Sequence, residues 1–188
     1  MKTSLKRIYE HCDPAFFYTK LRVFLSGWKN SKSLPDGIIY EGVSTKPLKF
    51  SGASGSQSTT FHVFDAVLGI VHSRKGGEKS FLDFMLDYMP RGHRKFVLNV
   101  RKGPSVRNYV ERSESDELLK IYNDCVDSVV QFRSFHIQVV TRYVTIQATK
   151  EKKHNEPVKN KLVYGTGGTE YMSFLKRVRS ETSEVKIS

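Results

Sequence analysis

One run of the chain places a titratable ring where its pattern asks for an apolar one. In RSFHIQVVTRYV, residues 133–144, His136 has neighbours that are almost all apolar or β-branched. It continues a series, Leu118, Tyr122, Cys125, Val129, Phe132, His136, Val140 and Tyr143, that recurs at steps of three and four, while Lys120, Asp124, Asp127, Gln131, Ser134, Gln138 and Arg142 trace the opposite face. On pattern alone the favoured reading is a neutral core imidazole with one ring nitrogen hydrogen-bonded to a backbone carbonyl. The sharper reading is a metal ligand, because a histidine projecting from a helix into an apolar pocket is how many proteins hold haem iron. The other five histidines, His11, His62, His72, His93 and His154, have no HxxxH or HxxE spacing with which to share zinc, so a single ligand points to haem.

Arg133 sharpens this reading. At i−3 it shares the helix face of His136 and can reach a carboxylate held beside the ring. A haem propionate is one such carboxylate. The plainer alternative is a partly buried arginine paired with a protein acid, and Asp65, set among Phe61, Phe64 and Leu68, is the partner of choice.

These side chains need elements to carry them. At 188 residues, 38% hydrophobic and 27% charged, the chain suits one domain with a real core. Its net charge of +12 suits nucleic acid, an anionic surface or an acidic small molecule without choosing among them. Two cysteines, Cys12 and Cys125, make no disulfide framework for a domain of this size, which favours a reducing compartment and a cytoplasmic location. No run approaches the ~18 apolar residues of a membrane span, and MKTSLKRIYEHCDP has no apolar signal-peptide core.

Punctuation along the chain is helical. Asp13-Pro14 reads as an N-cap with proline in the first turn, followed by Phe17, Leu21, Phe24 and Trp28 at helical spacing and Gly27 near the stop. Residues 29–56 collect Gly, Pro, Ser and Lys and read as a long loop. A second helix is expected from Gln57 to about His72, with Phe61, Phe64, Leu68 and Val71 as its apolar stripe. Residues 80–102 give two short helices broken at Met89-Pro90. After Gly103-Pro104 no Gly or Pro occurs until residue 157, and Ser113 with Asp116 forms a capping box for a long helix. The β-branched cluster Val139–Ile146 would also suit a strand, but a strand leaves the eighteen residues before it unexplained. The expected fold is all-α.

Several segments, in order, resemble the C-terminal part of the indoleamine 2,3-dioxygenase family: AFFYTKLRVFLSGW, FSGASGSQSTTFHVFDAVLGI, YMPRGHRKF, RSFHIQVVTRYV and GTGGTEYMSFLKRVRSET. The resemblance spans nearly the whole chain. It implies that residues 1–188 are the C-terminal part of a large helical haem-binding catalytic domain, with a long proximal helix, long loops and a charged mobile loop over residues 149–169. The family's small N-terminal domain and opposing distal wall lie upstream of the matched part.

By that resemblance His136 is the proximal ligand of haem b, and Arg133 contacts a propionate and the aspartate matching Asp65. Phe17 and Tyr18 match the aromatic pair of the distal pocket, and Arg22 matches the arginine that holds the amino-acid carboxylate. Ser54 matches a distal serine, and Thr166 in GTGGT a substrate-contacting threonine. Without the family, Phe17 would read as core packing, Arg22 as a solvated residue and GTGGT as a hinge. Where the family commonly has GGS, this chain has Gly52-Ala53-Ser54, and the added methyl group bears on substrate range.

The implied activity is insertion of O2 into the indole ring of L-tryptophan or related indoleamines to give N-formylkynurenine. It needs a donor that keeps iron ferrous, and a monomer when complete. An oxygen-binding haem protein of the same lineage is the second class. A nucleic-acid-binding domain ranks low, since the lysines of TKEKKHNEPVKNK read as a solvated helix end and linker, and neither nucleic acid nor a membrane is an expected partner.

Overall fold

The computed structural model describes residues 2–21, 45–46, 52–72, 86, 89–147 and 171–188. Among the described residues every regular element is helical. Helix α1 is Lys2–His11, and α2, Pro14–Phe16, opens into a π-helical stretch at Phe17–Leu21. Then come α3 (Gly52–Leu68), α4 (Arg91–Val100), α5 (Val106–Val110), α6 (Asp116–Val140, widening into a π-helical stretch at Thr141–Thr145) and α7 (Tyr171–Ser183). No described helix is long and apolar enough to cross a membrane.

Helix α6 is the axis. Its 25 residues span on the order of 37 Å. The Ser115 side chain caps it, accepting from the Leu118 N–H at 3.3 Å, and Asp116 and Glu117 sit in the first turn where the helix dipole favours acids. The expected cap at Ser113 lies two residues too early. That hydroxyl bonds the Val110 carbonyl at 2.8 Å and so closes α5, and Glu114, at φ 46°, separates the two helices. The buried stripe runs through Tyr122, Val126, Val129, Phe132, Arg133, Val139 and Val140, whereas Cys125 is exposed.

Helix α3 differs most from the pattern. It starts at Gly52, inside the stretch expected to be loop, and Gly52-Ala53-Ser54 forms its first turn. Its buried face carries Gly55, Ser58, Thr59, His62 and Asp65, while Phe64 is 42% and Val71 82% exposed. An apolar template misses a helix whose inward residues are small or polar. The helix ends at Leu68 because Gly69, at φ 70°, turns the chain: Gly69 N–H bonds Ala66 O at 3.3 Å and Ile70 N–H bonds Asp65 O at 2.7 Å, a Schellman cap. A Cβ on Gly69 would also meet Ser105 Oγ at 3.0 Å.

At the N-terminus, Asp13 caps α2 by accepting from Phe16 N–H at 2.7 Å, as its sequence suggests, while the helical Lys2–His11 before it carried no clear apolar signal. The expected continuation to Trp28 lies outside the described residues. In the middle of the chain Pro90 precedes α4, matching the expected break, and the piece before Met89 lies largely outside them. Helix α7, from Tyr171, follows shortly after GTGGT in the chain.

One core cluster gathers Leu68, Ile70, Val110, Tyr122, Val126, Val129 and Val185, joining the ends of α3, α5 and α7 to α6. Within it the Tyr122 hydroxyl lies 2.7 Å from Leu68 O and 3.3 Å from Val185 O, supplying a donor to carbonyls that face the interior. A second cluster sets Phe17 and Tyr143 against Val139, with Ile8, Tyr9, Cys12 and Leu21 around them. The fully buried Tyr143 reaches the Ile8 and Cys12 carbonyls at 2.7 and 3.0 Å, so it closes the C-terminal end of α1.

Tyr122→Phe tests the first of these ties. It keeps the ring and removes the donor, so unfolding free energy is expected to fall by about 1 to 3 kcal/mol. Urea denaturation should show a lower midpoint at an unchanged slope.

Candidate functional site

Where α3 meets the C-terminal third of α6, four-residue spacing on each helix brings chemistry together. Phe61 and Asp65 share one face of α3, and Phe132, Arg133 and His136 share one face of α6. The rings of Phe61 and Phe132 lie 4.8 Å apart at 43°. The partly buried His136 ring is 6.5 Å from Phe61 at an interplanar angle of 17° and 6.5 Å from Phe132 at 27°. Arg133 sets its Cζ 5.7 Å from the Phe61 centroid.

Arg133 is buried and its charge is met on three sides. Nη2 donates to Asp65 Oδ1 at 2.5 Å, and Nη1 donates to Val178 O at 3.0 Å and to the Thr182 hydroxyl. Thr182 is itself fully buried and bonds back to Val178 O at 2.6 Å. Asp65 Oδ2 lies 3.0 Å from His72 Nε2, and His72 Nδ1 lies 2.8 Å from Glu181 Oε2. A chain of polar contacts, with His72 between two carboxylates, therefore runs from α6 through α3 to α7.

Burial sets the protonation of the site. It lowers His136 to about 4, with Arg133 adding to the effect, so at neutral pH this imidazole is uncharged and can present a nitrogen lone pair. His62, buried on the same face of α3 as Asp65, is likewise lowered to about 4 by burial, against the opposing pull of Asp65. Burial works to raise Asp65, but the His72 hydrogen bond and the Arg133 charge outweigh it and hold the carboxyl below its ordinary range. An unprotonated imidazole beside a buried cation, under an aromatic cover, can bind a metal carried by an anionic ring.

The structure brings together Asp65, Arg133 and His136. Phe17 lies elsewhere on the same axis, packing 4.8 Å from Tyr143, which is two turns or roughly 10 Å along α6 from His136. Tyr18 is in the adjoining π-helical stretch, partly buried. Ser54 falls in the first turn of α3, two turns before Phe61. Arg22, Thr166 and the charged segment 149–169 lie outside the described residues. Sequence reasoning missed His72, Glu181 and Thr182 as parts of the site. His72 follows the turn at Gly69 and belongs to no periodic face, and 109 residues separate it from Glu181.

Comparison with known proteins places the chain in context. The family model "Indoleamine 2,3-dioxygenase" matches residues 1–185. The chain is 45% identical to Indoleamine 2,3-dioxygenase 2 of Homo sapiens over 190 residues, covering 96% of this chain and 45% of that protein. It is 39% identical to Indoleamine 2,3-dioxygenase 1 of Rattus norvegicus, covering 100% and 47%. It is also 37% identical to a protein named Myoglobin from Haliotis madaka, covering 99% and 48%. The chain thus spans about half the length of the relatives it matches.

The depressed histidines make an acid-lability prediction. A histidine at 6.5 in the unfolded chain and about 4 in the folded one binds its proton preferentially on unfolding, so stability is complete above about pH 6.5 and declines toward pH 4. Each such histidine costs up to ~3 kcal/mol at the acid end. His62→Gln should roughly halve the fall in unfolding free energy between pH 6.5 and 4.5, read by urea denaturation at several pH values; an unchanged slope would contradict it.

Proposed function

The chain belongs to the indoleamine 2,3-dioxygenase family, and from that premise we propose that it supplies the proximal side of a haem b site for oxidative cleavage of L-tryptophan. The observation that carries the reading is the meeting of an uncharged, partly buried imidazole, His136, with a buried arginine three residues earlier on the same helix face. That donor set fits haem: a neutral nitrogen for iron, a cation for a propionate, and aromatic rings between them. Haem iron held there would supply the binding and activation of O2 for insertion into the indole ring, giving N-formylkynurenine.

The chain's own residues have defined tasks in this reading. His136 would hold the iron through its ring nitrogen. Phe61, nearly parallel to the imidazole at 17°, restricts its rotation, and with Phe132 it keeps water from the ligating side. Arg133 has donors left on Nε and Nη2 beyond its bonds to Asp65, Val178 and Thr182, and these would face a propionate. Phe17 and Tyr18 line the substrate side, Arg22 holds the amino-acid carboxylate, and Ser54 and Thr166 contact bound ligand or substrate. An intracellular electron donor keeps iron ferrous, and the protein acts as a cytoplasmic monomer.

The likeness to the Haliotis myoglobin favours one second reading, a haem protein that binds oxygen without turnover. Kynurenine formation from tryptophan under reducing conditions separates the two. Because the matched relatives are about twice as long, that assay belongs to the longest natural form of the protein.

Two predictions follow from the roles of His136 and Arg22. In His136→Ala the Soret band and turnover should both be lost, while His93→Ala, at an exposed position on α4, should keep both. A normal Soret band in His136→Ala would remove the haem assignment. Arg22→Ala should raise the KM for tryptophan roughly 10- to 100-fold, the loss expected for a charge-assisted hydrogen bond. Indole analogues lacking the carboxylate should be insensitive to that substitution, and equal losses for both would point to a general pocket defect.

A further inference from the structure

His72 sits between two carboxylates, one at each ring nitrogen. Nε2 lies 3.0 Å from Asp65 Oδ2 and Nδ1 lies 2.8 Å from Glu181 Oε2, and ionised carboxylates accept hydrogen bonds without donating them. Both ring nitrogens must therefore carry hydrogen for both contacts to hold. Asp65 Oδ1 receives Arg133 at 2.5 Å, whereas Glu181 Oε1 lies 3.8 Å from Arg177 Nε, an ionic approach beyond hydrogen-bond distance. The ladder Arg177, Glu181, His72, Asp65, Arg133 alternates in sign, and its members are mostly buried.

The location of Asp65 makes the second cation necessary. Asp65 sits in the last turn of α3, where the helix presents carbonyls and the negative end of its dipole. Arg133 alone shares its charge with the Val178 carbonyl and the Thr182 hydroxyl. We propose that His72 is a positioning residue for Arg133: as an imidazolium it clamps the Asp65 carboxylate to Glu181 of α7, and the fixed carboxylate holds the guanidinium in its orientation beside His136. A neutral His72 would donate on one side only and set a lone pair against the other carboxylate. Asp65 could then rotate away, and Arg133 would lose its ionic anchor. Among the described residues, the charged and titratable groups around the ring are Asp65 and His62 from α3, Glu181 and Arg177 from α7, and Arg133 from α6.

This inference rests on the reading of Arg133 as the group that meets a haem propionate, and its test separates the two. In the longest natural form of the protein, without haem, nitrogen-15 spectra at neutral pH should show both ring nitrogens of His72 protonated and a sharp Arg133 Nε–H signal. His72→Gln should broaden or displace the Arg133 signal. Titration with ferric protoporphyrin IX, followed at the Soret band, should then show a Kd raised about tenfold with the band position unchanged, since His136 still ligates. Glu181→Gln, which preserves shape and one acceptor for Nδ1–H, guards against a folding defect and should move both readouts the same way by less. A His72 ring carrying one proton, or an unmoved Arg133 signal in both variants, overturns the proposal even if the denaturation midpoint falls, because a plain helix tie would give that result. If the longest natural form takes up no ferric protoporphyrin, the haem reading fails, and the nitrogen and Arg133 signals still decide the role of His72.

Discussion

Burying the Arg133 guanidinium constrains everything packed around it. A charge removed from water costs several kcal/mol unless its hydrogen-bonding capacity is met with good geometry, and removing one partner of such a pair is more damaging than never having built it. Asp65 meets the charge, and the Val178 carbonyl and Thr182 hydroxyl meet the remaining Nη1 protons. Each partner comes from a different helix than the arginine, so satisfying one side chain fixes α3 and α7 against α6. The polar inner face of α3 is a consequence. A helix that must deliver Asp65 and accommodate His62 cannot present an unbroken apolar stripe there, and Phe64 is left facing outward.

What could be read from the sequence follows the same division. Helix α6 was legible because its stripe persists for 25 residues without Gly or Pro and has acids in the first turn. The Asp65–Arg133 pair was legible as one of two partners for a cation on an apolar face. The start of α3 was not, because Gly55, Ser58 and Thr59 are inward residues that apolar periodicity scores as solvent-facing. Thr59 and Thr60 turn their hydroxyls back onto the carbonyls of Gly55 and Ser56, at 3.1 and 3.5 Å, which satisfies them inside the helix and hides the signal of burial. The His72–Glu181 contact had no signal at all, since neither residue lies on a stripe and the fold alone brings them together.

Along α6 the two halves of the proposed chemistry are carried at different heights. The ring of His136 meets Phe61 and Phe132, whereas Phe17 packs on Tyr143 two turns later, where the Tyr143 hydroxyl also closes α1. The π-helical stretches at Phe17–Leu21 and Thr141–Thr145 face each other in that second cluster. A widened turn shifts the register of the side chains that follow it, so both partners leave the regular helical phase at the same level. The N-terminal helices are thereby set by the same axis that carries His136, and any displacement of α6 would reach both groups.

Burial where α3 meets α6 has two effects that reinforce each other. It keeps His136 unprotonated, which a ligating nitrogen requires, and the neighbouring Arg133 charge pushes in the same direction. The same surroundings strengthen the attraction between Arg133 and Asp65 and raise the cost of separating them. An isolated cation three residues from a ligand would be a liability in that environment. Paired with Asp65 and with N–H donors left on Nε and Nη2, it would, in the proposed reading, receive a second anion. An anionic macrocycle bound through its metal to His136 would supply that anion, so ligand and anchor belong to one electrostatic arrangement rather than to two independent contacts.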